Sequence, residues 1–392
     1  MQYRNDRYSD KISALGFGCM RFTTSAGKID IEKAQSEIKA AYDAGVNYYD
    51  TAYIYPGSEA ALGIIFENLG IRDNIKIATK LPHYLVKKAS DLDKYLDEQL
   101  SRLKTDHIDY YLMHMLTDVN AWGRLKELGI VEWIEQKKAQ GKIRQMGFSY
   151  HGNSDMFCTL VDAYDWEFCQ IQYNYMDVNS QAGVTGLKYA ASKGLPVIIM
   201  EPLRGGRLAN KLPPDALKYF EEFPVKRAPA DWAFRWLYNQ PEVTCVLSGM
   251  NSLEMVEQNA KTADETPVDS LTPEEMAVYD NVVKAINKNI RIPCTGCRYC
   301  MPCPRNVDIP GCFSAYNNGK AQGTYVGLKE YFQCVVLRQK YTGVSNCIGC
   351  GKCEQHCPQG IHIRDELKHI KHRYENPALK AVIKLAPKFV KY

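Results

Sequence analysis

The chain has 392 residues, 45% of them hydrophobic, 24% charged and 11% aromatic, enough for one large domain plus a smaller one with a substantial buried core. The opening MQYRNDRYSD is polar and no stretch approaches the roughly 20 apolar residues of a spanning helix, so the sequence predicts a cytoplasmic protein without a membrane span. The net charge of +4 is uneven: residues 291–392 hold 16 Lys and Arg against six Asp and Glu, a balance of +10, which leaves −6 on residues 1–290.

Short apolar runs that read as strands start at Ile12 (ISALGFG), Val46 (VNYYD), Ile75 (IKIATK), Ile108 (IDYYLMH), Ile143 (IRQMGFS), Phe168 (FCQIQYN), Pro196 (PVIIM) and Val243 (VTCVLSG). Between them lie amphipathic stretches such as Ile31 to Ala44, Ala89 to Leu103 and Ala228 to Tyr238, each long enough for a crossover helix. Strand and helix alternating about eight times in roughly 250 residues is the pattern of a closed (β/α)8 TIM barrel. An open doubly wound sheet would begin with a G-x-G-x-x-G turn, which is absent. By position alone, MQYR and the first apolar run are expected to form a hairpin under the barrel. A further helix, capped by Thr272 with Pro273 first and Glu274 and Glu275 in its opening turn, runs to about Lys288 and reads as a connector. The expected division is a barrel over 1–262, a connecting helix over 263–290, a cysteine-rich module over 291–373 with helical Leu328 to Arg338, and a basic tail over 374–392. A membrane-surface role for the tail competes with packing onto the body, which is favoured because Pro377 and Pro387 interrupt any long helix.

Eight of the fourteen cysteines fall in two groups. CTGCRYCMPCP supplies Cys294, Cys297, Cys300 and Cys303; CIGCGKCEQHCP supplies Cys347, Cys350, Cys353 and Cys357; a proline follows each last cysteine. With no secretory leader, this is ligand spacing rather than a disulfide framework. Three thiolates at two-residue gaps can wrap one cubane, and the fourth, before proline, serves the other cluster in two-cluster ferredoxins. Two 4Fe-4S clusters are therefore expected, one on Cys294, Cys297, Cys300 and Cys357, the other on Cys347, Cys350, Cys353 and Cys303. The first group has one residue fewer before its last cysteine than the usual run. Zinc is the competing ligand, since paired C-x2-C also suits tetrahedral sites. The basic module suits anionic thiolate clusters better than nucleic acid, because no arginine-rich run or array of stacking aromatics accompanies the charge. Cys19, Cys158, Cys169, Cys245, Cys312 and Cys334 have no motif and read as inert buried thiols.

In a barrel of this kind the C-terminal strand ends share one mouth. Asp50 closes VNYYD, Tyr55 follows five residues later, Lys80 closes IKIATK and His114 closes IDYYLMH. Brought together, they suit carbonyl chemistry. Tyr55 would donate a proton to an oxygen accepting negative charge, Lys80 would lower the phenol pKa, Asp50 would hold Lys80, and neutral His114 would orient the carbonyl. Alone, a strand-end Asp or Tyr is more often structural. Together and in this order the four resemble the catalytic tetrad of the aldo-keto reductase family, with further likeness in GFGCM, IRQMGFS, QIQYN, EPLRGGRL and LSGMNSLEMVEQN.

That resemblance covers about residues 1–262 and implies an oxidoreductase acting on a small carbonyl or alcohol with NADP or NAD. It implies carboxamide contacts from Ser149 and Gln170, with Tyr150 where an Asn is expected. Met200 stands in place of the aromatic residue that stacks on nicotinamide. Leu203, Arg204, Gly205 and Gly206 would approach the phosphates, and Gly249 and Asn259 belong to the last cofactor segment, where Met255 replaces a basic residue. Barrel and module together resemble iron-sulfur aldo-keto reductases of bacteria and archaea. Hydride carries two electrons and a cluster one, so the clusters either are structural or couple the barrel to a one-electron carrier, for which a flavin is a candidate intermediate. Two alternatives stand beside the leading reading: a reductase fed by ferredoxin or flavodoxin without nicotinamide, and an electron-transfer subunit with a silent barrel. Tyr53, His83, Tyr150, His151 and Tyr173 are candidates for a polar pocket at the mouth.

Overall fold

In the computed structural model, which describes residues 1–288, 290–294, 296, 298–357 and 359–389, the eight expected strands all form and close into one parallel barrel. They are β1 (Leu15–Gly18), β2 (Tyr48–Asp50), β3 (Lys76–Leu81), β4 (Ile108–Leu116), β5 (Ile143–Tyr150), β6 (Phe168–Gln172), β7 (Val197–Met200) and β8 (Val243–Ser248). Neighbours in sequence pair in space, and Val246 of β8 opposite Leu15 of β1 closes the ring. Side chains alternate across the strands. Tyr48, Ala78, Tyr110, Leu112, Phe168, Ile198 and Leu247 fill the barrel interior, while Tyr49, Ile77, Tyr111, Met113 and Ile171 face the helices. Burial on both faces is why the strands read as nearly unbroken apolar runs. The interior leaves no room at Gly16 or Gly147, where a Cβ would come within 2.8 Å of Cys245 Sγ and 2.5 Å of the Phe168 carbonyl oxygen.

The hairpin expected under the barrel is present, Tyr3–Asn5 pairing antiparallel with Lys11–Ser13. Ile12 closes the interior from below, and Tyr110 donates a hydrogen bond of 2.6 Å to Asp6. The helix read as a connector, Pro273–Asn287, carries the capping box of Thr272 and Glu275 and packs on the flank of the barrel. Its Val278, Tyr279, Val282 and Ala285 join the barrel core, and Tyr279 donates to the Trp232 carbonyl at 2.8 Å.

The C-terminal module has its own core of Ile292, Val307, Phe313, Tyr331, Val335, Ile363, Leu367, Ile370 and Tyr374. It is built from helices Ile309–Gln322, Thr324–Tyr331 and Ile363–Tyr374, with a π-turn at Phe332–Val336 that widens the end of the second. The tail is one helix, Pro377–Phe389. Pro377 opens it, where a missing N–H costs nothing, and Pro387 lies in its last turn without breaking it. Ile383 is buried in the module core, so the tail packs onto the body. Two contacts dock the module on the barrel: Arg298 with Asp155 at 2.9 Å and Arg204 with Asn318 at 2.9 Å. No helix among the described residues is long and apolar enough to cross a membrane.

Candidate functional site

The ends of β2, β3 and β4 bring Asp50, Lys80 and His114 to the mouth, and the turn after β2 returns Tyr55 to them. Lys80 Nζ donates to both Asp50 carboxylate oxygens at 2.7 Å and to the Thr51 carbonyl at 2.6 Å, with Lys80 and Asp50 almost wholly buried. The same ammonium lies 5.3 Å from the centre of the Tyr55 ring, and the Tyr55 and His114 rings meet edge-on at 6.2 Å. The strand does not run regularly to His114. Its register with β5 shifts between Met113 and Leu116, and Met115 adopts φ +61°. This bulge re-aims His114, and Ser149 stabilises it by accepting the Met115 N–H at 2.8 Å.

Burial pushes the Tyr55 phenol well above its ordinary value, and the Asp50 and Glu201 carboxylates push the same way. The sequence argument expected Lys80 to lower it. In the fold, Asp50 cancels much of the lysine charge, so the phenol remains protonated and able to act as a donor. Burial raises the Asp50 carboxyl while Lys80 pulls against it. Burial and the Lys80 charge drive His114 well below the usual imidazole value, which makes it a neutral hydrogen-bonding group.

Two more histidines are held neutral by burial, His83 at about 3 and His151 at about 4. Unfolding returns all three to about 6.5, so below that pH the unfolded chain binds protons that the folded chain refuses. Stability should therefore fall as pH drops from about 6.5 towards 4, with a slope of about 1.4 kcal/mol per pH unit for each histidine. Thermal denaturation at about pH 7 and pH 5 checks this sign. A midpoint that stays level or rises on acidification contradicts it.

The residues assigned by resemblance to the nicotinamide cofactor divide. Buried Gln170 leaves Oε1 without a partner, as a ligand-facing amide would. Asn259 donates to Ser248 Oγ at 3.1 Å, and Met200, half-buried, packs on the barrel interior. Gly205 and Gly206 have φ of +68° and +88°, a backbone that side chains resist and that allows close approach of a ligand; Leu203 precedes them in the same loop. These features fit a dinucleotide. The Arg204 side chain does not turn towards it: the guanidinium is bound to Asp177 at 2.6 and 2.9 Å and to Asn318 of the module.

Of the aromatic and polar candidates for the pocket, His151 alone lines the mouth, with Nδ1 3.1 Å from Gln181 Oε1. Tyr150 is buried against Phe157 and donates to the Asn153 carbonyl at 2.6 Å, which removes it from the expected carboxamide position. Tyr173 packs on Trp236. Tyr53 is held at the outer rim by Glu98 and Arg102, and His83 is wholly buried.

In the module, Cys300, Cys303, Cys347, Cys350 and Cys353 line one cavity of about 190 Å³. The Cys-Pro sulfur of the first group, Cys303, thus shares a cavity with Cys347, Cys350 and Cys353 of the second. The Gly349 N–H donates to Cys347 Sγ at 3.4 Å. A cavity walled by thiols from both groups fits a cluster bulkier than a single ion. Cys294 and Cys357 are partly buried nearby; Cys297 lies outside the described residues. Of the cysteines without motif, Cys19, Cys169, Cys245 and Cys312 are buried, and Cys158 and Cys334 partly so.

Sequence reasoning missed a cleft of about 280 Å³ between the mouth and the module. Arg21, Gln172, Glu201 and Gly205 form its barrel side; Tyr325, Lys329, Gln333 and Cys334 form its module side. Arg21 and Glu201 could have been suspected, since Glu201 directly follows the end of β7 and Arg21 lies three residues past the end of β1. Nothing in the local pattern of the module helix announces which face meets the barrel.

Comparison with known proteins matches both parts of the chain. The model of the aldo/keto reductase family matches residues 14–284, and that of the 4Fe-4S dicluster domain matches residues 293–362. L-galactose dehydrogenase of Arabidopsis thaliana is 26% identical over 307 residues, 72% of this chain and 94% of that protein. An aldo-keto reductase of Bacillus halodurans in its holo form superposes with a TM-score of 0.61 at 26% identity, over 73% of this chain and 97% of its own. One from Klebsiella pneumoniae, in complex with NADPH, gives 0.59 at 25% identity over 72% and 96%. The dicluster match supports iron-sulfur clusters, and nothing in these comparisons supports a flavin.

Proposed function

The chain belongs to the aldo/keto reductase family and is an oxidoreductase, and from that premise we propose that it reduces a small carbonyl compound, or oxidises the corresponding alcohol, at Asp50, Tyr55, Lys80 and His114. The observation that carries the reading is the buried Lys80–Asp50 pair lying against the Tyr55 ring, with the neutral His114 ring edge-on to the phenol. A bound NADP or NAD supplies or accepts the hydride. Tyr55 donates its proton to the carbonyl oxygen as negative charge develops there, and Lys80 offsets the charge left on the phenolate. Asp50 holds Lys80 in place through both carboxylate oxygens, and His114 orients the oxygen. Gln170 with Ser149 would hold the carboxamide, Met200 the nicotinamide face, and Leu203, Gly205, Gly206, Gly249 and Asn259 the remainder of the dinucleotide. Met255, uncharged and exposed, supports weak discrimination between NADP and NAD.

The test is anaerobic: binding of NADPH and NADH, then their oxidation with a panel of aldehydes. Turnover supports the reading, and absence of binding by either dinucleotide removes it.

For the module we propose two 4Fe-4S clusters, on Cys294, Cys297, Cys300 and Cys357 and on Cys347, Cys350, Cys353 and Cys303. The cavity shared by Cys303 and Cys353 supports the crossed arrangement. Cys353→Ser is expected to lower the iron content of the purified protein by about half. Unchanged iron and an unchanged reduced-state EPR spectrum would dismiss that assignment.

One observation favours a second reading, delivery of electrons by an acidic ferredoxin or flavodoxin. Cys350 is exposed, Ile348 beside it is 65% exposed, and Arg305 and Lys352 flank the same cavity, a surface suited to an anionic carrier. Under this reading photoreduced clusters drive carbonyl reduction without nicotinamide, and Cys353→Ser stops it.

A further inference from the structure

We propose that Lys329 of the iron-sulfur module contacts the pyrophosphate of the bound dinucleotide, so that the docked module completes a cofactor site in which Glu201 partly offsets the barrel cations Arg21 and Arg207. This rests on the nicotinamide reading above.

One cation of the barrel's glycine loop is already committed to other partners. Arg204 directly precedes the paired glycines of the EPLRGGRL loop, yet Asp177 neutralises it and Asn318 holds it. A dianionic pyrophosphate laid on Gly205 and Gly206 needs cations from elsewhere. Arg21 is one. Its guanidinium passes 3.0 Å from where a Cβ on Gly205 would stand, and its side chain 3.1 Å from the same point on Gly249, so it spans the two glycine loops. Arg207 follows in the loop and also reaches the cleft.

The other side of the cleft is the helix Thr324–Tyr331 and its π-turn. Tyr325, Lys329 and Gln333 are spaced four apart, and all three line the cleft, as one helical face must. Glu330, one residue on, also lines the cleft, but its carboxylate accepts from Ser314 and Asn318 and faces the charge of Arg204, so it is occupied in holding the helix to the same Asn318 that anchors Arg204. Lys329 is left exposed towards His151 and the glycine loop. Cations from two separately folded cores thus face one another across a space of about 280 Å³, above backbone shaped for close approach. Glu201 is the acid on the barrel side, and its charge is felt by Tyr55, deeper in the mouth.

The experiment is fluorescence titration of the full-length, cluster-loaded protein with NADPH and with NADH. Lys329→Ala is expected to weaken both by the same factor, on the order of tenfold, and Lys329→Arg to restore them. Because Lys329 is exposed, the circular dichroism and iron content of these variants should match the parent. Unchanged affinity in Lys329→Ala overturns the proposal while leaving the nicotinamide reading intact. A loss confined to NADPH also overturns it, since that would place the lysine on the 2'-phosphate. Should the parent protein bind neither dinucleotide, the nicotinamide reading itself fails, and the proposal with it.

Discussion

Tyr55→Phe is expected to lower kcat/KM for aldehyde reduction by about 10²–10⁴-fold while leaving dinucleotide affinity within about twofold. The substitution removes one oxygen and leaves the ring against which Lys80 and His114 pack, so the fold has no reason to change. Burial and the neighbouring carboxylates keep the phenol protonated. It therefore carries the proton at neutral pH and gives it up when a more basic alkoxide forms beside it. Steady-state kinetics together with dinucleotide titration make the check. Activity within about tenfold of the parent would mean that another group supplies the proton. A parallel loss of cofactor affinity would mean that Tyr55 serves binding.

Asp50→Ala should destabilise the barrel by about 3–5 kcal/mol, because it strands the Lys80 ammonium in a site with almost no solvent. Asp50→Ala combined with Lys80→Met removes both charges and should recover most of that stability, since replacing a buried pair by apolar groups is often neutral. Activity should not return with it. Urea denaturation and aldehyde turnover, measured on the same three proteins, separate the two roles. If the double variant is as active as the parent, the pair is only structural; if it is no more stable than the single variant, the pairing energy has been misjudged.

The strand boundaries were legible because both faces of a parallel barrel are buried, so each strand is a short apolar run ended by a polar residue. Asp50 ends β2, and Lys80 and His114 lie one and two residues before the ends of β3 and β4. That logic also explains the false candidates. Tyr150 and Tyr173 likewise lie at strand ends, yet they turn into apolar packing against Phe157 and Trp236. No one-dimensional signal separates a tyrosine that points into the mouth from one that points under a helix. Arg204 was misread for a related reason. Its motif is shared with the dinucleotide loops of the family, but here its partners, Asp177 and Asn318, lie far along the chain in either direction.

By itself the sequence determined that there is an eight-stranded barrel, that four chemically matched groups end up at or beside its strand ends, and that a separate cysteine module follows. Period, spacing and composition are local properties, and these conclusions need only local properties. The tertiary structure alone decided that a bulge at Met115 aims His114, that Lys80 gives its hydrogen bonds to Asp50 and Thr51, and that the module lies over the mouth with Lys329 facing Gly205. Each of these depends on contacts between residues distant in sequence, whose energies are set by burial and docking and leave no trace in the spacing of the residues that make them.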